Sequence, residues 1–424
     1  MKQLLIEDHT ADYVFISIVL RSGSLVDPGG AEGMAYLAAN TLLLGTREMP
    51  RAVFLDELDY LGASLDVSVG KESVILEGEV ISRNLDPFIK LLGDVIKFPA
   101  LSVDEIEKLK RRTVAELEQI RDNDEALCAV FHGRHMWGNH PYGRPGKGTS
   151  ATIGAIEHGS IASFLTAHVR DSNLIVAAAG HIEPAQLNDL VTRYLAGIPG
   201  EATTIPVLST PTPAKGVRVF LVDKPERTQT QIMWGHPCIH AGHADYFPLM
   251  TANTAFGGTF TARLMREIRE KRGWSYGATS RVGVDRQTGS FTMGYAPATK
   301  DAVAAIRLGH QLLETFVFEG PSAEELEFSK SYLTNAFPFR IETAAKRLGQ
   351  MLETELLARP SNFVETYVQN VEAVTLEKAA EAVSRHIQPA NITLTVVCTA
   401  SDIEPELRSW DKVCELHVVP YDQM

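Results

Sequence analysis

Histidines, one nearby carboxylate and a basic glycine-rich loop are where this sequence could do chemistry. In GHPCIHAGHADY, His236, His240 and His243 stand close to Asp245. Imidazole nitrogens with a carboxylate oxygen are donors suited to a divalent transition ion. Pro237 breaks any helical register there and no open-site spacing is recognisable, so these read as solvent-facing loop histidines. His132, His135 and His140 read the same way. The stretch GRPGKGTS (143–150) imitates a phosphate-cradling loop. It fails because Pro141 stands where the first glycine belongs, and Gly148 follows Lys147 where Ser or Thr is required.

The elements that would position such groups are plain in outline. Of 424 residues, 45% are hydrophobic and 22% charged, a globular profile with material for two or three cores. Acidic residues outnumber basic ones by 53 to 40, giving a net charge of −13. That excludes nucleic acid as the main partner, because phosphate binding needs a concentrated basic surface. Cys128, Cys238, Cys398 and Cys414 form no C-x-x-C pair, which argues against a disulfide framework or a thiolate zinc site. No apolar run is long enough to span a membrane. The opening MKQLLIEDHTADYVFISIVLRSGS reads as two strand-like runs around a polar turn, with no secretory apolar region.

The two halves of the chain echo each other. SNLIVAAAGHIEPAQL at 172–187 is matched by ANITLTVVCTASDIEPEL at 390–407, and Gly45-Thr46 by Gly258-Thr259. Between the halves, residues 201–216 carry Pro206, Pro211 and Pro213 and read as an extended linker. Helix-forming composition runs through 103–131, and again through KDAVAAIRLGHQLLETFVF and SAEELEFSKSYLTNAF. The expectation is an α+β protein of two homologous domains, 1–200 and 217–424. Each is a mixed, antiparallel-rich sheet with helices packed on one face.

Residues 33–46, GMAYLAANTLLLGT, form a helix from Gly33 through Leu44 with apolar positions at 34, 37, 38, 42 and 43. With RSGSLVDPGGAEG before it, HPYGRP at 140–145 and FGGTFTARLMREIREKRGWSYG at 256–277, the chain resembles the pitrilysin (insulinase-type, inverzincin) zinc peptidases in their short two-domain bacterial form. Active members carry H-x-x-E-H on the helix that ends in Gly-Thr. Histidines at i and i+4 share a helical face and bind one zinc, while the glutamate deprotonates the metal-bound water. Laid on this sequence, the resemblance puts Tyr36 and Asn40 at the ligand positions and Ala39 at the general base. Glu116, in TVAELEQI, matches the third ligand. A phenol with pKa near 10 and a carboxamide are poor zinc ligands, and alanine takes no proton. No metal is therefore expected in this chain, and no peptide hydrolysis by it alone.

The same resemblance assigns Arg269 and Tyr276, in IREKRGWSY, to binding substrate backbone near the scissile bond. Locally, TARLMREIREKR reads as a helix closed by Gly273, with Trp274-Ser275-Tyr276 starting a strand. Guanidinium and phenol would then converge at a helix-to-strand corner. The implied function is the non-catalytic, substrate-binding subunit of a heteromeric zinc metalloendopeptidase. Zinc would be held by a homologous partner with H-x-x-E-H, and the substrate would be a peptide. The alternatives are a structural assembly protein of the same fold and a homodimeric peptide binder without hydrolysis. A soluble protein of bacterial cytoplasm or periplasm is expected.

Overall fold

A computed structural model describes residues 1–200 and 206–423, so residues 201–205 of the expected linker lie outside the described residues. The first sheet contains β1 (Lys2–Glu7), β2 (Tyr13–Leu20), β3 (Ser64–Val69), β4 (Val74–Ile81) and β5 (Leu174–Gly180), in the order β1-β5-β2-β4-β3. Only β1 and β5 run parallel; the remaining pairs are antiparallel. The second sheet contains β6 (Val217–Asp223), β7 (Gln231–Cys238), β8 (Ala278–Val284), β9 (Gly289–Tyr295), β10 (Ile392–Cys398) and β11 (Val413–Pro420). Its order is β11-β6-β10-β7-β9-β8. Here β6 and β10 run parallel, and β10, β7, β9 and β8 then alternate in direction. Apart from β11, added parallel to β6, the second sheet repeats the first strand for strand. The sequence repeat is a repeat of topology, and the fold is the expected α+β class, with helices on both faces of each sheet rather than on one.

The central strands dictate how each sheet is covered. Every residue of β5 (LIVAAAG) and β10 (ITLTVVC) is buried, so both faces of each sheet must be packed. In the first sheet one cover is the helix Ala344–Leu356, whose Ala344, Leu348 and Leu352 lie on Val19, Ile175, Ala177 and Ala179. The small alanines of β5 let that helix approach closely. In the second, Leu127, Cys128 and Phe131 of the helix Asp124–Trp137 pack on Val222 and Val397. The chain accordingly divides into one unit of Met1–Glu118, Arg144–Val207 and Phe339–Leu356, and another of Gln119–Gly143, Leu208–Pro338 and Leu357–Met424.

The helical composition of 103–131 resolves into two elements, Val103–Gln119 and Asp124–Trp137. Asn123 separates them: its side chain accepts the backbone N–H of Ala126 at 2.9 Å, an N-cap that restarts the helix. Among the described residues no helix is long and apolar enough to cross a membrane.

Three histidines are corrected by the fold; one is His135, which is half-buried on the helix Asp124–Trp137 with its ring stacked 3.8 Å from that of Phe220. His236 lies within β7 and is buried, not on a solvent-facing loop. Its Nδ1 donates to the Pro237 carbonyl at 2.8 Å and its Nε2 accepts from the Gln388 N–H at 3.1 Å, which fixes a neutral tautomer. His132 is buried on the helix Asp124–Trp137, with Nδ1 3.2 Å from Thr395 Oγ1. Burial pushes His132 down to about 3 and His236 down to about 4. Both folded values lie below the unfolded one, so their stabilisation is complete above pH ~6.5 and is lost as pH falls toward those values. Denaturant unfolding should therefore show the second unit losing roughly 3 kcal/mol or more between pH 7 and pH 4. His236→Asn, whose amide can still donate to Pro237, should flatten part of that slope; an unchanged slope would remove His236 from the account.

Candidate functional site

The helix Met34–Thr41 begins without a side-chain cap on its preceding residue, Gly33. Its first amides are held from a distance. The buried Asp27 carboxylate accepts the N–H groups of Gly33 and Ala35, both at 2.8 Å, which satisfies donors a helix start leaves unpaired. Gly33 has φ +93°, and a Cβ there would meet the Lys147 carbonyl and Ile153 Cδ1 at 2.7 Å. Only glycine lets the 147–148 loop press against the helix start.

That contact brings Lys147 over the face where metal ligands would project. Its ammonium stands 5.3 Å from the centre of the Tyr36 ring and 3.5 Å from Glu116 Oε2. Arg112 Nε lies 3.6 Å from the other Glu116 oxygen. The surviving carboxylate is thus bracketed by two cations of the chain itself. These exposed pairs are worth little energetically, about 0–1 kcal/mol each, but they fix where positive charge sits. Asn40 spends its amide on the helix, Nδ2 donating to the Tyr36 carbonyl at 2.8 Å, and Ala39 is buried. A phenol, a committed amide and an alanine do not make a zinc site, so this position supports no metal-assisted step. Sequence reasoning located all four residues; it missed Lys147, which it met only in a rejected phosphate-loop pattern.

Arg269 and Tyr276 belong to the second unit. The chain from 263 forms a short α-turn, Arg263–Met265, and then a π-helical turn, Arg266–Glu270. Another π-turn, Thr254–Gly258, precedes it, and such turns are frequent at functional sites. Gly273, at φ +63°, closes the helix: its N–H bonds to the Arg269 carbonyl at 2.8 Å and that of Trp274 to Ile268 at 3.1 Å. The strand then starts at Ala278, not at Trp274. Ser275 Oγ donates to the Gly277 carbonyl at 2.6 Å and accepts from the Ala296 N–H at 2.9 Å, so residues 274–277 form a side-chain-braced connection. Tyr276 projects from it, 87% exposed.

The two side chains do meet. The Arg269 guanidinium carbon lies 4.8 Å from the centre of the Tyr276 ring and 4.2 Å from that of Phe260, which is 60% exposed. Both distances are within cation–π range, so the two rings attract the guanidinium without using its N–H donors. Arg269 Nη1 is buried and has no hydrogen-bond partner. Phe260 was not legible beforehand; Gly258-Thr259 just before it was noticed only as an echo of Gly45-Thr46.

Comparison with known sequences identifies the family of both halves of the chain. The profile of the Insulinase (Peptidase family M16) family matches residues 2–150, and that of the Peptidase M16 inactive domain matches residues 155–333. An uncharacterised zinc protease of Mycobacterium tuberculosis is 24% identical over 369 residues, 86% of this chain and 83% of its own. The non-peptidase homolog YmxG of Helicobacter pylori is 24% identical over 394 residues, covering 92% of this chain and 90% of that one. Among solved structures, a peptidase M16 inactive domain from Pseudomonas fluorescens superposes with TM-score 0.87 at 21% identity, covering 93% of this chain and 94% of that one.

Two outcomes follow for the first unit. Burial pushes the Asp27 carboxyl up to about 6 despite its amide bonds. A folded value above the unfolded one means its contribution is fully present below pH ~4 and lost as pH rises through 6. Asp27→Asn should therefore gain stability relative to the parent as pH goes from 4 to 7, by at most ~3 kcal/mol, read from paired melts. Separately, Tyr36→His, Ala39→Glu and Asn40→His together should add one equivalent of zinc to whatever the parent holds. Adding Lys147→Ala should tighten that extra site at least ~10-fold by removing a competing cation, measured by metal titration.

Proposed function

Because the chain belongs to the insulinase family of peptidases (peptidase family M16), we propose that it is the non-catalytic, substrate-binding subunit of a heteromeric zinc metalloendopeptidase. In this reading a homologous partner with an intact H-x-x-E-H holds the zinc, which activates water and polarises the scissile carbonyl. This chain contributes Arg269 and Tyr276, presented to a peptide bound beside that metal.

The observation that carries the reading is the asymmetry between the two candidate positions. Tyr36, Ala39 and Asn40 offer neither a ligand set nor a base, and Lys147 stands over them. Arg269 and Tyr276, by contrast, are side by side with a donor unspent. A buried donor without an acceptor costs roughly 1–3 kcal/mol, a cost that a carbonyl brought by a peptide would relieve. The exposed phenol of Tyr276 can donate to an oxygen that gains charge during bond cleavage. Such a donor is worth about 10²-fold in kcat when its geometry is right. Contact with the rings of Phe260 and Tyr276 restrains Arg269 before substrate arrives, so less side-chain freedom is lost on binding.

The test pairs this purified chain with a homologous H-x-x-E-H chain and measures peptide cleavage with and without chelator. Cleavage is expected from the mixture and not from this chain alone. Tyr276→Phe in the reconstituted pair should lower kcat roughly 10²-fold, and Arg269→Ala should chiefly raise KM. Full activity in the Tyr276→Phe pair would overturn the shared-site reading. A stable pair that cleaves nothing would favour the structural assembly role.

A further inference from the structure

The loop that follows β7 and the end of the helix Leu376–His386 bring together donors far apart in sequence. Asp245 Oδ2 lies 2.7 Å from His386 Nε2 and 4.0 Å from His243 Nδ1. The two imidazole rings stand edge to face with centres 4.8 Å apart. One donor atom from each of the three residues lies within 4.8 Å of the others, and all three are half-buried. We propose that His243, Asp245 and His386 bind a borderline divalent transition ion of the zinc(II) type, at a site separate from the metal-less position in the first unit. This goes beyond the peptidase-subunit reading and does not depend on it.

The chemistry of the donor set supports this assignment. Two imidazoles and one carboxylate, with water completing a tetrahedron, are a recurring zinc environment, and donors around zinc sit roughly 3.3 Å apart. Reaching that spacing from the present 2.7 and 4.0 Å to Asp245, and up to 4.8 Å across the set, requires shifts of at most about 1.5 Å. Protons now occupy the lone pairs the ion would take. His386 Nε2 shares one with Asp245, and His243 Nδ1 accepts the Asp245 N–H at 3.0 Å.

The frame is built independently of any ion. The Ala241 N–H bonds to the Asp285 carbonyl at 2.9 Å, and Tyr246 and Leu249 bond back to His243 and Asp245 as the helix Tyr246–Asn253 begins. His240, its ring 5.8 Å from that of His243, is placed as an outer neighbour. One group opposes a metal: Arg385 Nη1 donates to the same Asp245 oxygen at 2.7 Å. That guanidinium already reaches toward Glu381, at 3.8 Å one helical turn away, and can move to it when an ion takes over Asp245.

The test uses the full chain stripped with chelator and titrated with zinc(II), and with cobalt(II) for its tetrahedral absorption bands. One equivalent should bind and raise the thermal midpoint by several degrees. His243→Ala and His386→Ala should each weaken binding at least ~10-fold, and Arg385→Gln should tighten it. Glu116→Gln should leave binding unchanged. No stoichiometric zinc in either the parent or Arg385→Gln overturns the proposal. So does zinc retained by His386→Ala, or zinc lost on Glu116→Gln.

Discussion

Two strands buried on both faces set the terms for everything else in this molecule. Because every residue of β5 and β10 is buried, neither sheet can leave a face to water, and each needs a second layer of helix. The chain does not find that layer next door in sequence. It uses Ala344–Leu356 for the first sheet and Asp124–Trp137 for the second. Both sheets are thus completed by contacts between segments roughly ninety or more residues apart in the chain.

Local pattern and repeat were enough to read the α+β class and the pairing of the halves, since β-rich apolar runs and helical stretches recur in the same order. They were not enough to find the exchanged helices. A helix that covers a distant sheet has the same amphipathic spacing as one that covers its neighbour. The break at Asn123 was hidden because 103–131 is helix-forming throughout, and one side-chain cap decides it. His236 was misjudged for a related reason: a strand carrying Gly, His and Pro in succession looks like a loop until its partners β9 and β10 are known.

The candidate residues follow the same division. Tyr36, Ala39, Asn40 and Glu116 were named by laying the ligand positions of the resembled family on the sequence, one position at a time. Arg269 and Tyr276 were found through family resemblance and lie against each other as a helix-to-strand corner allows. Lys147, Phe260 and His386 were invisible, since each acts through space and has no spacing rule. Lys147 gives the degenerate position a positive charge without a metal, while Phe260 adds a second ring beside the guanidinium of Arg269.

The late position of Ala344–Leu356 also bears on how the protein is made. On the ribosome all five strands of the first sheet have emerged by Gly180, yet the helix that shields Ile175, Ala177 and Ala179 is translated only after most of the second unit. Through that interval a nascent chain carries a finished sheet with one greasy face bare. Its safe synthesis then rests on chaperone shelter or on slow closure once translation nears its end.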